Sequence, residues 1–392
     1  MLTAADFPDG TPLRHFFAWN ARRWWPDQRY RMLRDPVRLA AAPTRQLSDV
    51  LRQAVGNPDI AAHAAVFAAF EQLQSPPAEP RRVLVIRLSA FGDFVQALGP
   101  IAAIRHHHKS DQLSLLTTRP LAGFAEATGF FDQIIVDDRP KALDARSWLA
   151  LRRCLRQGGF DRVYDLQTSQ RTMLYSWLLR PGLPEWSGVA PGCSHPHANL
   201  GRDAQHTLDK QAEQLLMAGV YPTPLPILPP FGRPLPAELA KRDFILLVPG
   251  SSPQHPEKRW PARSFGTLAQ ALAGNGFLPV IVGTASEAPL AAAIREACPA
   301  ALDLVGRTDL PELATLAQRA RLTIGNDTGV CHLAAAAACP LIVLFSRASD
   351  PAKCSPRGRA VRVLAVPDLS ELRAATVIAA VTDVLARDLA AG

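Results

Sequence analysis

The chain lacks any apolar run long enough to cross a membrane, since no window of its 392 residues approaches about 18 consecutive apolar residues. Its N-terminus carries Asp6 and Asp9 and has no long apolar core, so a secretory signal is not expected. The six cysteines are scattered, and none belongs to a Cys-x-x-Cys pair. These absences predict a cytoplasmic protein whose thiols are reduced and mostly buried.

Several motifs of known chemistry are missing as well. The sequence has no G-x-G-x-x-G after its first strand, which weakens a nicotinamide interpretation, and no G-x-S-x-G elbow for Ser-His-Asp hydrolysis. Three consecutive residues cannot share one helix face, so the tract at 106–108, three histidines, does not predict a metal site. No nucleic-acid-binding module is recognisable, and nucleic acid is not an expected partner.

The composition is that of a folded protein with more than one domain. Hydrophobic residues make up 48% of the chain and charged residues 20%, which is ample for packed cores. The length predicts two domains with an additional segment. The formal net charge of +8 comes mainly from arginine and favours acidic partners, such as nucleotide phosphates or anionic lipid.

Residues 1–80 are predicted to form a mostly helical N-terminal extension. Positions 14–45 hold eight arginines against two aspartates, interleaved with Phe16, Phe17, Trp19, Trp24, Trp25 and Tyr30. This segment could lie on an anionic membrane surface. Alternatively, its aromatic residues pack on the main body while the arginines remain solvated. A second helix at 60–73 would end at a linker, Ser75-Pro76-Pro77.

Beyond the extension, strand and helix patterns alternate, which predicts parallel, doubly wound α/β domains. Strands are expected at 83–87, 112–116, 133–136 and 162–166, with helices at 94–107, 122–127, 147–156, 170–179 and 207–217. The proline-dense stretch 220–236 indicates an interdomain linker. A second series places strands at 244–248, 278–282, 302–305, 322–324, 341–345 and 360–366, and a final helix at 369–389. We therefore expect domains at 81–225 and 226–392, with a ligand cleft between them at the strand ends.

Three loops at strand ends carry candidate chemistry. In the first, 89–93, Asp93 begins a helix and either compensates the helix dipole or serves as a general base. In the second, PGSSPQHPEKRWP at 249–261, Ser251, Ser252 and Lys258 could hold a diphosphate, unless this is an ordinary polar surface loop. Glu287 follows a strand where an acidic residue often binds a ribose hydroxyl, or else it is a solvated residue at a helix start.

The third loop, GNDTG at 325–329, precedes an alanine-rich helix. Backbone amides at such a helix start form an anion site. Asp327 would repel a phosphate, so it could instead orient the loop or face a sugar hydroxyl. The plainer alternative is an N-cap, with Asn326 or Asp327 accepting hydrogen bonds from the first turn.

Together the motifs resemble a known family. RLSAFGD at 87–93, KRWP at 258–261 and NDTGVCHLAAA at 326–336 look like the bacterial lipopolysaccharide heptosyltransferases of glycosyltransferase family nine, in matching order across residues 82–392. The resemblance implies a GT-B fold, in which two Rossmann-like domains face a cleft. It also implies an inverting, metal-independent transfer from ADP-heptose to the lipopolysaccharide inner core, with no cofactor and on a lipid-linked saccharide acceptor.

Roles follow residue by residue from that resemblance. Asp93 would be the catalytic base, Lys258 the cation for the diphosphate, and Thr328 and Gly329 phosphate donors. Asp327 would help to hold the nucleotide-sugar, Glu287 would bind the ribose, and His332 would be structural.

The chain also departs from the family pattern near the acceptor side, beside Gly92. The family often has His where this chain has Gln96, and Leu-Pro where it has Leu98-Gly99-Pro100. Rival interpretations are a protein O-heptosyltransferase, against which the unpaired cysteines argue, and a non-catalytic nucleotide- or glycan-binding protein. We expect a cytoplasmic enzyme, peripheral on the inner membrane.

Overall fold

The computed structural model describes residues 1–23, 27–40, 44–73 and 79–391, apart from the side chains of Pro36 and 388–391. Trp24, Trp25 and the linker expected at 75–77 lie outside the described residues. The chain divides into two compact units: residues 1–89 with 99–224, and residues 90–98 with 225–392. Among the described residues we find no helix whose length and apolar content would let it cross a lipid bilayer.

A parallel sheet of six strands forms the centre of the first unit, in the order β3-β2-β1-β4-β5-β6. Its strands are β1 (Arg82–Ile86), β2 (Gln112–Thr117), β3 (Gln133–Val136), β4 (Arg162–Asp165), β5 (Glu185–Gly188) and β6 (His195–Pro196). The central strand β1 is buried from Val83 to Ile86, as a strand covered on both faces requires. The order matches that of dinucleotide-binding folds, with a switch point between β1 and β4.

Helices cover this sheet and build the N-terminal extension. The helices of the first unit, numbered along the chain, are α1 (Pro12–Ala21), α2 (Gln28–Leu33), α3 (Pro36–Ala40), α4 (Arg45–Ala54), α5 (Ile60–Gln72), α7 (Leu98–His107, from residue 99), α8 (Arg119–Ala127), α9 (Ala145–Gln157), α10 (Gln170–Leu178) and α11 (Thr207–Met217). Short 3-10 turns lie at Ala4–Asp6 and Arg202–Ala204.

The extension packs on the first unit through its aromatic residues. Phe16, Phe17 and Tyr30 are buried in one apolar cluster with Leu216 and Met217 of α11. Each buried aromatic side chain contributes about 2–3 kcal/mol of transfer free energy. These three rings therefore pack on the main body, as the second alternative predicted, and they are not available to a membrane surface.

A second six-stranded parallel sheet, in the order β12-β11-β10-β7-β8-β9, forms the centre of the second unit. Its strands are β7 (Phe244–Val248), β8 (Leu278–Ile281), β9 (Leu302–Asp303), β10 (Leu322–Asn326), β11 (Leu341–Phe345) and β12 (Val361–Ala365). Its helices are α6 (Phe91–Gln96), α12 (Ala262–Gly274), α13 (Ala288–Ala297), α14 (Leu310–Arg319), α15 (Gly329–Ala336), α16 (Pro351–Cys354) and α17 (Ala374–Ala391), with 3-10 turns at Ala237–Leu239, Pro256–Lys258, Ala285–Glu287 and Leu369–Glu371. The predicted α/β class with two parallel sheets is confirmed.

The single helix predicted at 94–107 is wrong. Two helices, α6 and α7, replace it, and they meet at Ala97. Pro100 has no amide proton and cannot donate to the carbonyl of Gln96, so one continuous helix would lose a hydrogen bond there. Strands β5 and β6 were not predicted, because they are short and lie among glycines and prolines; β6, which contains Pro196, forms the sheet edge, where proline is tolerated.

Candidate functional site

The candidate site lies within the second unit, at the carboxyl ends of its central strands. Strands β7 and β10 are neighbours, although the chain passes through β8 and β9 between them. Such a switch point leaves room for a ligand beyond the strand ends. The loop at 249–261 follows β7, the turn at 283–287 follows β8, and residues 327–329 follow β10. Residues 346–350 follow β11 beside them.

Asn326, at the end of β10, fixes the loop after β7. Its fully buried side-chain amide donates to the carbonyls of Pro249 (2.8 Å) and Gly250 (3.2 Å). Its carbonyl oxygen accepts from the amide of Trp260 at 3.0 Å. The N-cap of α15 is Thr328, so the cap predicted at Asn326 or Asp327 is wrong. Asn326 holds two strand-end loops in register instead.

Asp327 and Lys258 form an ion pair across these loops. The Lys258 ammonium donates to Asp327 Oδ2 at 2.8 Å, and the Ser349 hydroxyl donates to the same oxygen at 2.6 Å. The side chain of Asp327 is 8% exposed and that of Lys258 is 18% exposed. Partial burial strengthens the pair relative to one in open solvent. The Asp327 carboxylate thus restricts where the Lys258 ammonium group can lie. This gives an acidic residue a role beside an anion site, because it positions the cation.

The N-terminus of α15 presents backbone donors next to this pair. Thr328 occupies the N-cap, and its side chain makes no capping hydrogen bond. A helix start without a side-chain cap can use its first amides to bind an anionic ligand. In the same turn the Cys331 thiol donates to the Asn326 carbonyl at 3.1 Å. Burial raises the pKa of Cys331 to about 12, so this thiol is neutral and structural.

The two serines of the 249–261 loop have different surroundings. The buried Ser251 hydroxyl donates to the carbonyl of His255 at 2.9 Å and accepts from the Arg259 guanidinium at 3.0 Å. Ser252 is exposed and donates to Gln254 at 2.5 Å. Ser251 therefore shapes the loop, while Ser252 lies on its surface.

Glu287 packs against two glycines at the ends of β7 and β8. Its Oε2 accepts from the amide of Thr284 at 2.5 Å, which closes a capping box. A Cβ built on Gly250 would lie 1.9 Å from Glu287 Oε1, and one on Gly283 would lie 2.5 Å from Oε2. A side chain at either glycine would therefore displace the Glu287 carboxylate, which is held at the strand ends with Oε2 engaged in the cap.

Asp93 lies on α6, which crosses the start of α15. Its Oδ2 accepts from the amide of Ala90 at 3.0 Å. A Cβ on Gly92 would lie 3.0 Å from the Gly329 Cα, and one on Gly329 would lie 2.8 Å from the Gly92 nitrogen. The two helix starts are thus in backbone contact, which leaves no room for a side chain at Gly329 and little room for one at Gly92.

Gln96 is turned toward α15 and α16. Its side-chain nitrogen lies 3.1 Å from His332 Nδ1 and 3.4 Å from the carbonyl oxygen of Cys354. Gln96 is 3% exposed. The contact agrees with a structural role for His332. It also gives Gln96 a packing role at the position where members of the resembled family often have histidine.

Three of the charged groups act on the pKa of the Cys354 thiol. Burial is the main cause that raises its pKa to about 11, and the charge of Asp327 adds to this. Asp93 acts in the same direction, while Lys258 opposes it. A base candidate, a cation and its carboxylate partner therefore share one electrostatic environment.

Over residues 1–23, 27–40, 44–73 and 79–391 we find no group of three His, Cys, Asp or Glu side chains that could hold a metal ion. Two contributors were missed by the sequence reasoning, Ser349 and Arg259. Ser349 follows β11, beside the switch point, so its place after a buried strand could have identified it. Arg259 lies in the KRWP motif at 258–261, between Lys258 and Trp260.

Comparisons with known proteins agree with this arrangement. Residues 193–376, a little under half of the chain, match the model of glycosyltransferase family 9 (heptosyltransferase). The lipooligosaccharide heptosyltransferase 2 of Haemophilus influenzae is 35% identical over 118 residues, which are 29% of this chain and 34% of that enzyme. The chain thus aligns with about a third of the length of that curated relative.

Two solved structures share the fold. A family 9 glycosyltransferase of Veillonella parvula has a TM-score of 0.69 at 21% identity, covering 79% of this chain and 98% of that chain. The Escherichia coli ADP-heptose LPS heptosyltransferase II has a TM-score of 0.64 at 19% identity, covering 78% and 99% respectively. Both support a GT-B fold with two Rossmann-like units. The family model and the Haemophilus relative add a sequence similarity to glycosyltransferase family 9, the heptosyltransferases, over the second unit and the end of the first.

Proposed function

We propose that the protein is an inverting glycosyltransferase that moves heptose from ADP-heptose to a lipopolysaccharide core saccharide without a metal ion. The observation that carries this proposal is the Lys258–Asp327 pair beside the N-terminus of α15, with α6 and its Asp93 crossing that same helix start. A cation and backbone amides suit a departing diphosphate, and a nearby carboxylate suits a base. The names of the Haemophilus and Escherichia relatives support heptose as the sugar.

In the proposed reaction, the acceptor hydroxyl oxygen attacks the anomeric carbon of the heptose while the bond from that carbon to the diphosphate oxygen breaks. The Asp93 carboxylate takes the hydroxyl proton, and ADP leaves with the bonding electron pair. The negative charge that develops on the diphosphate is stabilised by Lys258 and by the amides of Thr328 and Gly329. A single displacement inverts the anomeric configuration.

The remaining residues would bind and position the substrates. We assign Glu287 to the ribose, Ser252 to the diphosphate, and Ser251 to the shape of the loop between them. Residues 226–392 would bind the nucleotide-sugar and residues 81–225 the acceptor, with Gly92 and Gln96 on the acceptor side. We place the reaction in the cytoplasm, on a lipid-linked acceptor at the inner membrane.

Asp93→Asn tests the catalytic base. We expect transfer of heptose, followed by mass spectrometry of a heptose-deficient lipopolysaccharide acceptor, to fall about 10³-fold, because a positioned general base contributes about 10²–10⁴-fold. Binding of ADP-heptose should be nearly unchanged. Asp138→Asn is the matched control, since Asp138 is an exposed carboxylate paired with Arg119. If the Asp93→Asn protein were as active as the unaltered protein, Asp93 would not be the catalytic base.

Thermal shifts with ADP, GDP, UDP, CDP and their sugar conjugates test the donor. A ligand at 100 times its Kd adds about 2.7 kcal/mol of stability. Selective stabilisation by ADP and ADP-heptose is expected. Stabilisation by another nucleotide would change the proposed sugar, and binding of ADP-heptose without turnover on any acceptor would favour a non-catalytic role.

A further inference from the structure

The outer faces of α9 and α10 form one continuous surface of the first unit. Both helices pack on the same side of the first sheet, because Leu151 and Leu155 of α9 share a core cluster with Tyr175 of α10 and Leu179 directly after it. Their opposite faces must therefore point away from the sheet together. This surface, the α9–α10 face, includes Leu149, Arg153, Arg156, Leu174, Trp177 and Arg180.

Large apolar side chains are unusually exposed on this face. Leu149 is 62% exposed, Leu174 is 53% exposed and Trp177 is 60% exposed. Leu143, just before α9, is 99% exposed. A single exposed leucine needs no explanation, but a tryptophan and several leucines on two neighbouring helices indicate an interaction surface.

The charge of the same face has one sign. Residues 145–160 and 166–184 contain six arginines and no aspartate or glutamate. The acidic residues at the margins are engaged: Asp144 caps α9, Asp161 accepts from the Arg82 amide, and Asp165 is fully buried. The six arginines therefore give the two helices a net positive charge, which the exposed Asp144 and Asp161 at the margins offset only in part.

Contacts between the helices place arginine side chains near the exposed Trp177. The guanidinium groups of Arg152 and Arg156 donate to the Arg180 carbonyl at 3.2 and 3.3 Å. The Arg180 guanidinium itself lies 5.3 Å from the centre of the Trp177 ring. A helix face that carries arginines together with an exposed tryptophan and exposed leucines matches the interface of a bilayer with anionic headgroups, where tryptophan is favoured and each basic residue adds attraction.

We propose that the α9–α10 face docks the protein on an anionic membrane surface. The sequence suggested the segment 14–45 as the membrane-binding surface, but its Phe16, Phe17 and Tyr30 are buried in the first unit. The proposal does not depend on the transferase assignment, because binding to acceptor-free vesicles measures it directly.

Cosedimentation with vesicles tests the charges. The probe is phosphatidylglycerol mixed with phosphatidylcholine, and pure phosphatidylcholine is the neutral comparison. Arg153→Gln with Arg156→Gln should weaken partition about 25-fold, since each arginine near an anionic surface contributes about fivefold, or about 1 kcal/mol. Arg22→Gln with Arg31→Gln removes the same charge from the segment 14–45 and should leave partition unchanged. Added salt should weaken binding of the unaltered protein.

Fluorescence quenching by brominated lipid acyl chains tests the tryptophan. The unaltered protein should be quenched by anionic vesicles, and Trp177→Phe should bind with most of that quenching lost. Trp177→Ala should weaken partition about tenfold, because an exposed indole loses its apolar burial. Tyr221→Ala, at a residue 49% exposed elsewhere in the first unit, should change nothing.

Three results would overturn the proposal. The first is absence of binding to anionic vesicles, and the second is loss of binding in the Arg22/Arg31 variant but not in the Arg153/Arg156 variant. The third is quenching that persists in Trp177→Phe. Self-association or heparin binding that the Arg153/Arg156 changes abolish, with vesicle binding intact, would assign the face to another partner. Only variants that melt at the same temperature as the unaltered protein are compared, and no acceptor is present. A negative result in vesicle binding therefore does not contradict the heptose-transfer proposal.

Discussion

Glu71 of the N-terminal extension makes a buried ion pair with the first sheet, and its removal tests how firmly the extension is built into the first unit. Glu71 Oε2 accepts from Arg162, the first residue of β4, at 2.7 Å, and Oε1 lies 2.8 Å from His195 Nε2 on β6. The Arg162 side chain is 1% exposed and that of Glu71 is 12% exposed. Burial alone would raise the pKa of Glu71, but the His195 hydrogen bond and the Arg162 charge hold that pKa well below its ordinary value.

We expect Glu71→Gln to destabilise the first unit by about 3 kcal/mol. Removing one partner of a buried ion pair costs about 3–5 kcal/mol, because the other charge is left uncompensated. Glu185 lies 3.6 Å from Arg162 and offsets part of that loss, which puts the value at the lower end. For a unit of this size the melting temperature should fall by about 6–12 °C.

Urea unfolding followed by circular dichroism, together with thermal melting, measures the effect. Glu185→Gln is the matched control, and because Glu185 is more distant and 27% exposed, it should cost about 1 kcal/mol or less. Glu71→Leu combined with Arg162→Met should recover part of the loss, since an apolar pair leaves no buried charge. A Glu71→Gln protein that unfolds at the same urea concentration as the unaltered one would falsify the reasoning.

Three further predictions concern the site and its pH range. Lys258→Met should weaken ADP-heptose binding about 10–100-fold in calorimetry, while exposed Lys241→Met should not; equal affinities would contradict the diphosphate role. Gly92→Ala should lower kcat/KM about 10–100-fold, because its Cβ would lie 3.0 Å from α15, whereas Gly123→Ala meets nothing within 4 Å and should be neutral. Burial lowers the pKa of His195 to about 4 from its ordinary 6.5, so the unfolded chain binds more protons in that window. The free energy of unfolding should therefore be highest above pH 6.5 and fall toward pH 4. The His195→Gln protein should show a smaller change of this free energy with pH, measured by urea unfolding at each pH.

Elements with a strong local pattern could be read directly from the sequence. The bounds of β3, β7, β11 and α11 coincide with those predicted, because each is a continuous apolar run or a clear helical pattern between turn residues. Strands β5 and β6 have neither feature. They exist because β4 offers hydrogen-bond partners to β5, and β5 offers them to β6, which is information that no local window contains.

The sequence by itself determined the fold class and the candidate site residues, because buried strands, turn residues and loop motifs are local properties of the chain. The tertiary structure alone decided what those residues touch. Lys258 and Asp327 are 69 residues apart and pair only because β7 and β10 are neighbours in the sheet. Likewise, the arginines and aromatics of 14–45 fitted either a membrane or a protein surface, and only the apolar side chains of α11 decided where Phe16 and Phe17 are buried. Burial depends on residues distant in the chain, so the same local composition can serve either environment.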